Sequence, residues 1–303
     1  MTTAFYRCII GTSQKNTAVK AATNERKTIM KKIISLILAL ACCLGCVFAL
    51  ASCGAKGSKV ALQSGTTSEI YANVLKGIEI ASFDTFALAA TDMKNGNSDY
   101  VFCDKTTAAS LVREIDGLKI VDEIPLAKEY YGIAIDKNQA DLKDKINAAL
   151  VKNAVEIAAI EAKYLAGTEA LYEGVTSAKK DVSKADKQLV VATNAEFAPF
   201  EYVEGDKYYG IDMEIAAIIA KELDMELVIE DMAFNAVVGA VGNNGVDIAM
   251  SGITITAERE QAVNFSTPYY VEDIVVICTE DDTSLDNAKT VVDILTTICT
   301  PAE

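Results

Sequence analysis

From residue 57 onward, short apolar runs alternate with segments whose apolar positions recur every three or four residues. Short runs bounded by turn residues read as strands, and the three-and-four spacing reads as helix. Residues 59–62 (KVAL) form the first such strand, followed by the turn Gln63-Ser64-Gly65 and a helical segment from about residue 66 to 76. Strands are predicted again at 99–103 (DYVFC) and 118–121 (LKIV), with helical spacing at 85–94 and 106–114. Residues 129–135 (EYYGIAI) read as one strand. Residues 139–164 carry Leu142, Ile146, Leu150, Ala154, Ile157 and Ile160 on one stripe, which predicts a single long helix. A polar stretch rich in Lys and Asp, residues 166–186, reads as a linker. A second alternation follows, with strands at 189–192, 226–229, 246–249 and 274–279 and a helix at 210–223. This pattern predicts an α/β fold of two lobes, each a mainly parallel sheet flanked by helices. Ligands of such folds settle at the carboxyl ends of strands and between domains.

Ahead of this region lies a different pattern. Met30 is followed by Lys31 and Lys32 and then an apolar run from Ile33 to Ala51. A basic start and an apolar stretch make an export signal. It ends in Leu50-Ala51-Ser52-Cys53-Gly54, which resembles the lipobox of bacterial lipoproteins, where the Cys receives a diacylglycerol. The competing reading is a plain transmembrane anchor, since about 20 apolar residues span a bilayer. Either places residues 54 onward outside the cytoplasm, on the outer face of the membrane or in the periplasm. Residues 1–29 are polar and without periodicity, and are left unassigned, with Met30 a candidate true start.

Composition removes several classes of function. The 303 residues contain no His, which excludes Ser-His-Asp triads, Cys-His dyads and His-based zinc sites. Cys42, Cys43 and Cys46 sit inside the apolar run and read as small apolar residues. No metal or cofactor is expected. A formal net charge of −15 makes nucleic acid a poor partner.

The segment MSGITITAER (250–259) follows a predicted strand and offers a Gly, a Thr hydroxyl and an Arg. An Arg fork matches a carboxylate in two places, and a Gly lets backbone approach closely. With VNFSTPYY (263–270), this stretch resembles the solute-binding proteins of polar amino acid ABC importers. The resemblance extends to ATNAEFAPFEY (192–202), YGIDMEIAAIIAKEL (209–223), DMAF (231–234) and NNGVDIAMSG (243–252). It also covers VALQSGTT (60–67), DYVFCD (99–104) and YGIAI (131–135). It implies the two-lobed periplasmic-binding-protein type II fold and the capture of a free amino acid without catalysis. By it, Arg259 would clamp the ligand carboxylate with Thr254 and with Thr67, next to Thr66 at a helix start. Asp104 and the Gly252 carbonyl would hold the ammonium. Phe197 and Phe234 would flank the side chain, and Gln63 and Cys103 would face the variable end of the pocket. Asn194 stands where many relatives carry an acid, which points to a neutral or polar ligand. On spacing alone, Arg259 reads as a surface charge and Asp104 as a helix cap.

The segments run in an unusual order for that family. Lobe two (57–132) comes first; lobe one is made of 133–165 and 187–277, around the linker at 166–186. Residues 278–303 would be the hinge return and the opening stretch of lobe two. This order reads as a circular permutation, with a slice of a tandem array or a rearranged, non-functional product as alternatives. Residues 295–303 fit neither pattern. Lobe closure would hinge near Gly132 and Val276. The expected partners are an amino acid, an ABC permease and, through lipidated Cys53, the membrane, with the protein a monomer. Two other readings remain: a dehydratase-like enzyme of the same fold, with Glu196 or Glu201 as acid, and a ligand-sensing domain.

Overall fold

The computed structural model describes residues 57–121, 124–167 and 172–299. The chain divides into Met1–Gly54 and Ala55–Glu303, and the described residues all lie in the second part. Cys53 and the apolar run before it therefore fall outside the described residues. Among those described, no helix is long and apolar enough to cross a membrane.

The elements in chain order begin with β1 (Lys59–Gln63), α1 (Thr67–Val74), β2 (Glu79–Phe83), α2 (Phe86–Lys94), β3 (Tyr100–Asp104), α3 (Lys105–Glu114) and β4 (Leu118–Val121). Next come β5 (Ala127–Tyr131), β6 (Ala134–Ile135), α4 (Ala140–Lys152) and α5 (Ala154–Leu165). After the linker region follow β7 (Gln188–Thr193), β8 (Glu196–Phe197), β9 (Glu201–Glu204), β10 (Lys207–Tyr209), α6 (Ile211–Glu222) and β11 (Glu226–Asp231). The last are α7 (Phe234–Ala240), β12 (Ile248–Ala249), α8 (Arg259–Ala262), β13 (Asn264–Phe265), β14 (Tyr270–Thr279) and α9 (Val291–Cys299).

These strands make two main sheets. The first has the order β2-β1-β3-β14-β4, with β5 also pairing β14. The second has the order β11-β7-β12-β6-β13, and β10-β9-β8 form a small antiparallel sheet beside it. Both main sheets are mainly parallel, each with one reversed strand. β14 runs antiparallel to β3, β4 and β5, and β6 runs antiparallel to β12 and β13. The reversed strands are those that adjoin the places where the chain passes from one sheet to the other.

Those passages correct two expectations. The run 129–135 is not one strand: Tyr131 belongs to the first sheet and Ala134 to the second, with Gly132 and Ile133 between them. The return passage lies at residues 266–269, not near Val276, which pairs with Phe102 and Val121 deep in the first sheet. The polar start of β14 (YVED) hid its first four residues from an apolar pattern. Strand β2, with its exposed and half-buried residues, was missed for the same reason. The expected long helix is two: Asn153 breaks it, its side-chain amide donating to the Ala149 carbonyl at 2.9 Å. Residues 291–299 form α9 with Ile294 and Ile298 buried, so the part of 295–303 that is described belongs to a packed helix.

Local chemistry explains the helices that carry the site. Thr85 caps α2, its hydroxyl accepting the Leu88 N–H at 3.1 Å. On α6, Ile211, Met213, Ile215, Ala216, Ile219 and Ala220 are all buried, so this helix packs into the core over most of its surface. The linker region is also built in. Val175 exchanges both backbone hydrogen bonds with Tyr208, Ala178 N–H donates to Leu227 O, and the Ser177 hydroxyl accepts Ile229 N–H. Lys180 pairs with Glu230 at 2.7 Å. It thus covers the outer edge of β11, an edge that would otherwise present unpaired amides.

Gly210 precedes α6 with φ +120°, and a Cβ there would lie 2.1 Å from Phe200 O. Both the conformation and the space demand glycine. Gly210→Ala is expected to destabilise the fold by about 3 kcal/mol or more, read as a fall in the urea unfolding midpoint; an unchanged midpoint would contradict this packing.

Candidate functional site

Two pairs of parallel strands, one pair in each main sheet, end at one gap. Gln63 ends β1, Asp104 ends β3, Asn194 follows β7, and Ser251 and Gly252 follow β12. Strand ends of this kind leave backbone groups and short loops free to meet a ligand. The first sheet and its helices contribute Gln63, Thr66, Thr67, Phe86 and Asp104 to a cavity between the sheets. The other wall is Phe197, Phe234, Ser251, Gly252, Thr254 and Arg259. The interior is narrow, with room for roughly one water.

Arg259 opens α8 and spans the gap. Its Nη1 donates to Thr254 O at 2.9 Å and its Nη2 to Gly65 O, on the β1–α1 turn, at 3.0 Å. Its guanidinium carbon stands 5.7 Å from the Phe234 ring centroid. It is no surface charge. Burial lowers its pKa, while Glu129 and Asp104 act in the opposite sense. Beside it, the N-terminus of α1 has no side-chain cap, because the Thr66 hydroxyl donates to Gln63 O at 2.7 Å instead. The first-turn N–H groups at Thr67 and Ser68 remain suited to a negative charge.

At the other pole, Asp104 is 5% exposed. Its side chain does not cap α3 but meets Tyr131 and Glu129. Burial first, then Glu129 and Glu272, push it well above the ordinary carboxylate range, with Tyr131 opposing. Glu129 and Glu272 face each other across β5 and β14. Burial also raises Glu272, against the N–H groups of Thr106 and Asp273. Glu129 accepts the Thr254 hydroxyl at 2.9 Å. A cation placed among these carboxyls would stabilise their ionised forms.

Behind the wall, a second acid pair holds the 250–254 loop. Gly252 has φ +53°, and a Cβ there would lie 2.6 Å from Phe197 Cε1. Its N–H donates to Asp212 Oδ2 at 2.9 Å. The Tyr269 hydroxyl donates to the same carboxylate at 2.8 Å. The Ser251 hydroxyl donates to Glu201 Oε1 at 2.7 Å and accepts the Asn194 N–H at 3.1 Å. Burial pushes Asp212 up to about 6, against Gly252, Tyr269 and Glu201. Burial and the neighbouring Asp212 raise Glu201 well above its usual value.

Nine of the eleven residues singled out in the sequence line the cavity. Asn194 stands behind the lining, touching Gln63 across the gap at 3.0 Å. Cys103 lies elsewhere. It neighbours Asp104 on β3, and successive strand side chains leave on opposite faces, so Cys103 goes to the core. Burial, with Asp104 and Glu272, pushes its thiol up. Phe86, Ser251 and Glu129 were missed in the sequence. Glu129, a charged residue within an apolar run, carried a signal; Phe86 looked like one more apolar helix position. Glu196 is exposed and Glu201 is sealed behind Ser251. Among the described residues, no cluster of three or more Cys, Asp or Glu could hold a metal ion.

Comparison with known proteins places this geometry in context. Residues 189–297 match the sequence profile of bacterial extracellular solute-binding proteins, family 3. The chain is 39% identical over 95 residues to the arginine-binding extracellular protein ArtP of Bacillus subtilis (strain 168), covering 31% of this chain and 37% of that protein. It is 29% identical over 133 residues to the probable amino-acid-binding protein YxeM of the same organism, covering 43% of this chain and 49% of that protein. The chain thus spans half or less of the length of these relatives. It is also 33% identical over 96 residues to a cyclohexadienyl dehydratase of Pseudomonas aeruginosa, covering 31% of this chain and 36% of the enzyme. Among solved structures, the arginine-bound form of domain 1 from TmArgBP is 29% identical, with 40% of this chain and 98% of that chain covered and a TM-score of 0.28.

The buried Asp212–Glu201 pair makes stability depend on pH. Folded, it keeps protons that the unfolded chain releases near pH 4. The Asp212 contribution is therefore full below about pH 4 and lost as pH rises through about 6; that of Glu201 has the same sign. In Asp212→Asn the fall across that window is expected to shrink. Urea midpoints measured across it for both proteins check this, and an equal fall in the two would assign the pH dependence to other groups.

Proposed function

We propose that this chain, whose residues 189–297 match the bacterial extracellular solute-binding proteins of family 3, binds a free amino acid in the cavity between its two sheets. The observation that carries this reading is the pairing of opposite charges across one small cavity. Arg259 and the first turn of α1 suit a carboxylate, and Asp104, with Glu129 behind Thr254, suits an ammonium. A free amino acid carries both groups on one carbon. Phe86, Phe197 and Phe234 leave an apolar wall for the side chain. The printed names of the relatives, arginine-binding and amino-acid-binding, support the same class.

On this reading the protein acts without catalysis and hands its ligand to an ABC importer. Lipidation at Cys53 would hold it at the outer face of the membrane as a monomer. Closure would bend the chain at its two passages between the sheets, Gly132–Ile133 and residues 266–269. The reversed order of segments is read as a circular permutation. In its support, each main sheet is assembled from strands on both sides of the linker, β6 joining β12 and β5 joining β14. The two glutamates considered as the acid of a dehydratase, Glu196 and Glu201, stand outside the cavity lining.

Thermal unfolding against the twenty amino acids tests the reading. A ligand at 100 times its dissociation constant adds about 2.7 kcal/mol, a rise of several degrees at most. Arg259→Ala is expected to abolish a selective shift while leaving a cooperative melt. A cooperative melt of the unchanged protein that no amino acid moves would overturn amino acid binding.

A further inference from the structure

We infer that Gln63 and Asn194 together recognise a primary carboxamide, so that the amino acid held here has an amide side chain; this rests on the amino-acid-binding reading above. Gln63 is 2% exposed and Asn194 is 5% exposed. Gln63 lies on the cavity wall, among Phe86, Phe197 and Phe234. Its amide nitrogen carries two hydrogens. One is donated to the backbone carbonyl of Asp84 at 2.9 Å, the other to Asn194 Oδ1 at 3.0 Å.

These two bonds remove the ambiguity usual for amide side chains, whose oxygen and nitrogen look alike. The Asp84 carbonyl only accepts, so the Gln63 atom that meets it is the nitrogen. That nitrogen then donates to Asn194, so the Asn194 atom that meets it is the oxygen. A backbone group thus orients both side chains. Gln63 Oε1, an acceptor, and Asn194 Nδ2, a donor of two hydrogens, are left without a protein partner among the described residues.

Polar atoms left open on largely buried side chains bind most strongly a group that satisfies both. A primary carboxamide carries an N–H donor and a C=O acceptor on one carbon, matching the pair. A guanidinium or ammonium brings hydrogens only and sets donor against donor at Asn194. A carboxylate brings lone pairs only and sets oxygen against oxygen at Gln63. An aliphatic side chain leaves both atoms unpaired. Neither Gln63 nor Asn194 is charged, and the charged groups of the wall stand at the two poles of the amino acid backbone, so the side-chain end of the cavity is polar and neutral.

Calorimetric titration of the full chain with glutamine, asparagine, glutamate, arginine, lysine and leucine tests this. Glutamine or asparagine is expected to bind about tenfold or more tighter than any of the other four, since a site built to hydrogen-bond a group discriminates strongly against analogues lacking it. Asn194→Asp turns the donor into an acceptor and is expected to move the preference toward arginine and lysine by about tenfold or more. Arginine, lysine, glutamate or leucine equalling the amides in the unchanged protein would overturn the inference and leave amino acid binding intact. No binding of any of them, nor of the remaining amino acids, would overturn both. Should Asn194→Asp lose its cooperative melt, the ranking in the unchanged protein decides.

Discussion

The site depends on how residues 250–254 are held. This loop follows a central strand, turns through a positive φ at Gly252, and then carries Thr254 and, a few residues on, Arg259. Its backbone is tied on several sides. Asp212 on α6 takes the Gly252 N–H, Gly132 N–H donates to Ile253 O, and Ile255 N–H donates to Tyr130 O. Two of those partners lie at a passage of the chain between the sheets, and Tyr269, at the other passage, bonds the same Asp212. The ligand loop and both passages therefore share one hydrogen-bonded unit. A change in how the sheets meet would be felt at Gly252 through Tyr269 and Asp212.

Buried charge is distributed with the same economy. Asp104 and Glu129 act on one guanidinium, Arg259, and Glu272 acts on Asp104, in a setting that penalises isolated charge. Burial raises Asp104 and Glu272 and lowers Arg259, so each is held away from its solution state. Such shifts concentrate where a ligand is to supply the missing counter-charge. Asp212 and Glu201 differ in kind. They are tied to Tyr269, Gly252 and Ser251, all within the protein, which suits a supporting role.

The linker region shows how a chain in this order closes on itself. Residues 175–180 lie along β10 and β11 and are bonded to both. The segment is polar because it lies on the surface, yet its backbone completes two strand edges. Composition foretold the exposure and not the pairing, since edge pairing is made by main-chain atoms that every residue possesses.

The sequence by itself determined the α/β alternation, most of the strands and the identity of the polar groups, because apolar periodicity and residue chemistry are local properties. It marked Arg259, Asp104, Thr254 and Gly252, through their chemistry and a family resemblance, before any contact was known. The tertiary structure decided the rest. It split EYYGIAI between two sheets and moved the second passage to residues 266–269. It turned Cys103 to the core, set Glu129 behind Thr254, and brought Gln63 against Asn194, 131 positions apart. These are relations between distant segments, fixed by which sheet edge and which face each strand occupies. A one-dimensional pattern of apolar and polar residues does not carry them.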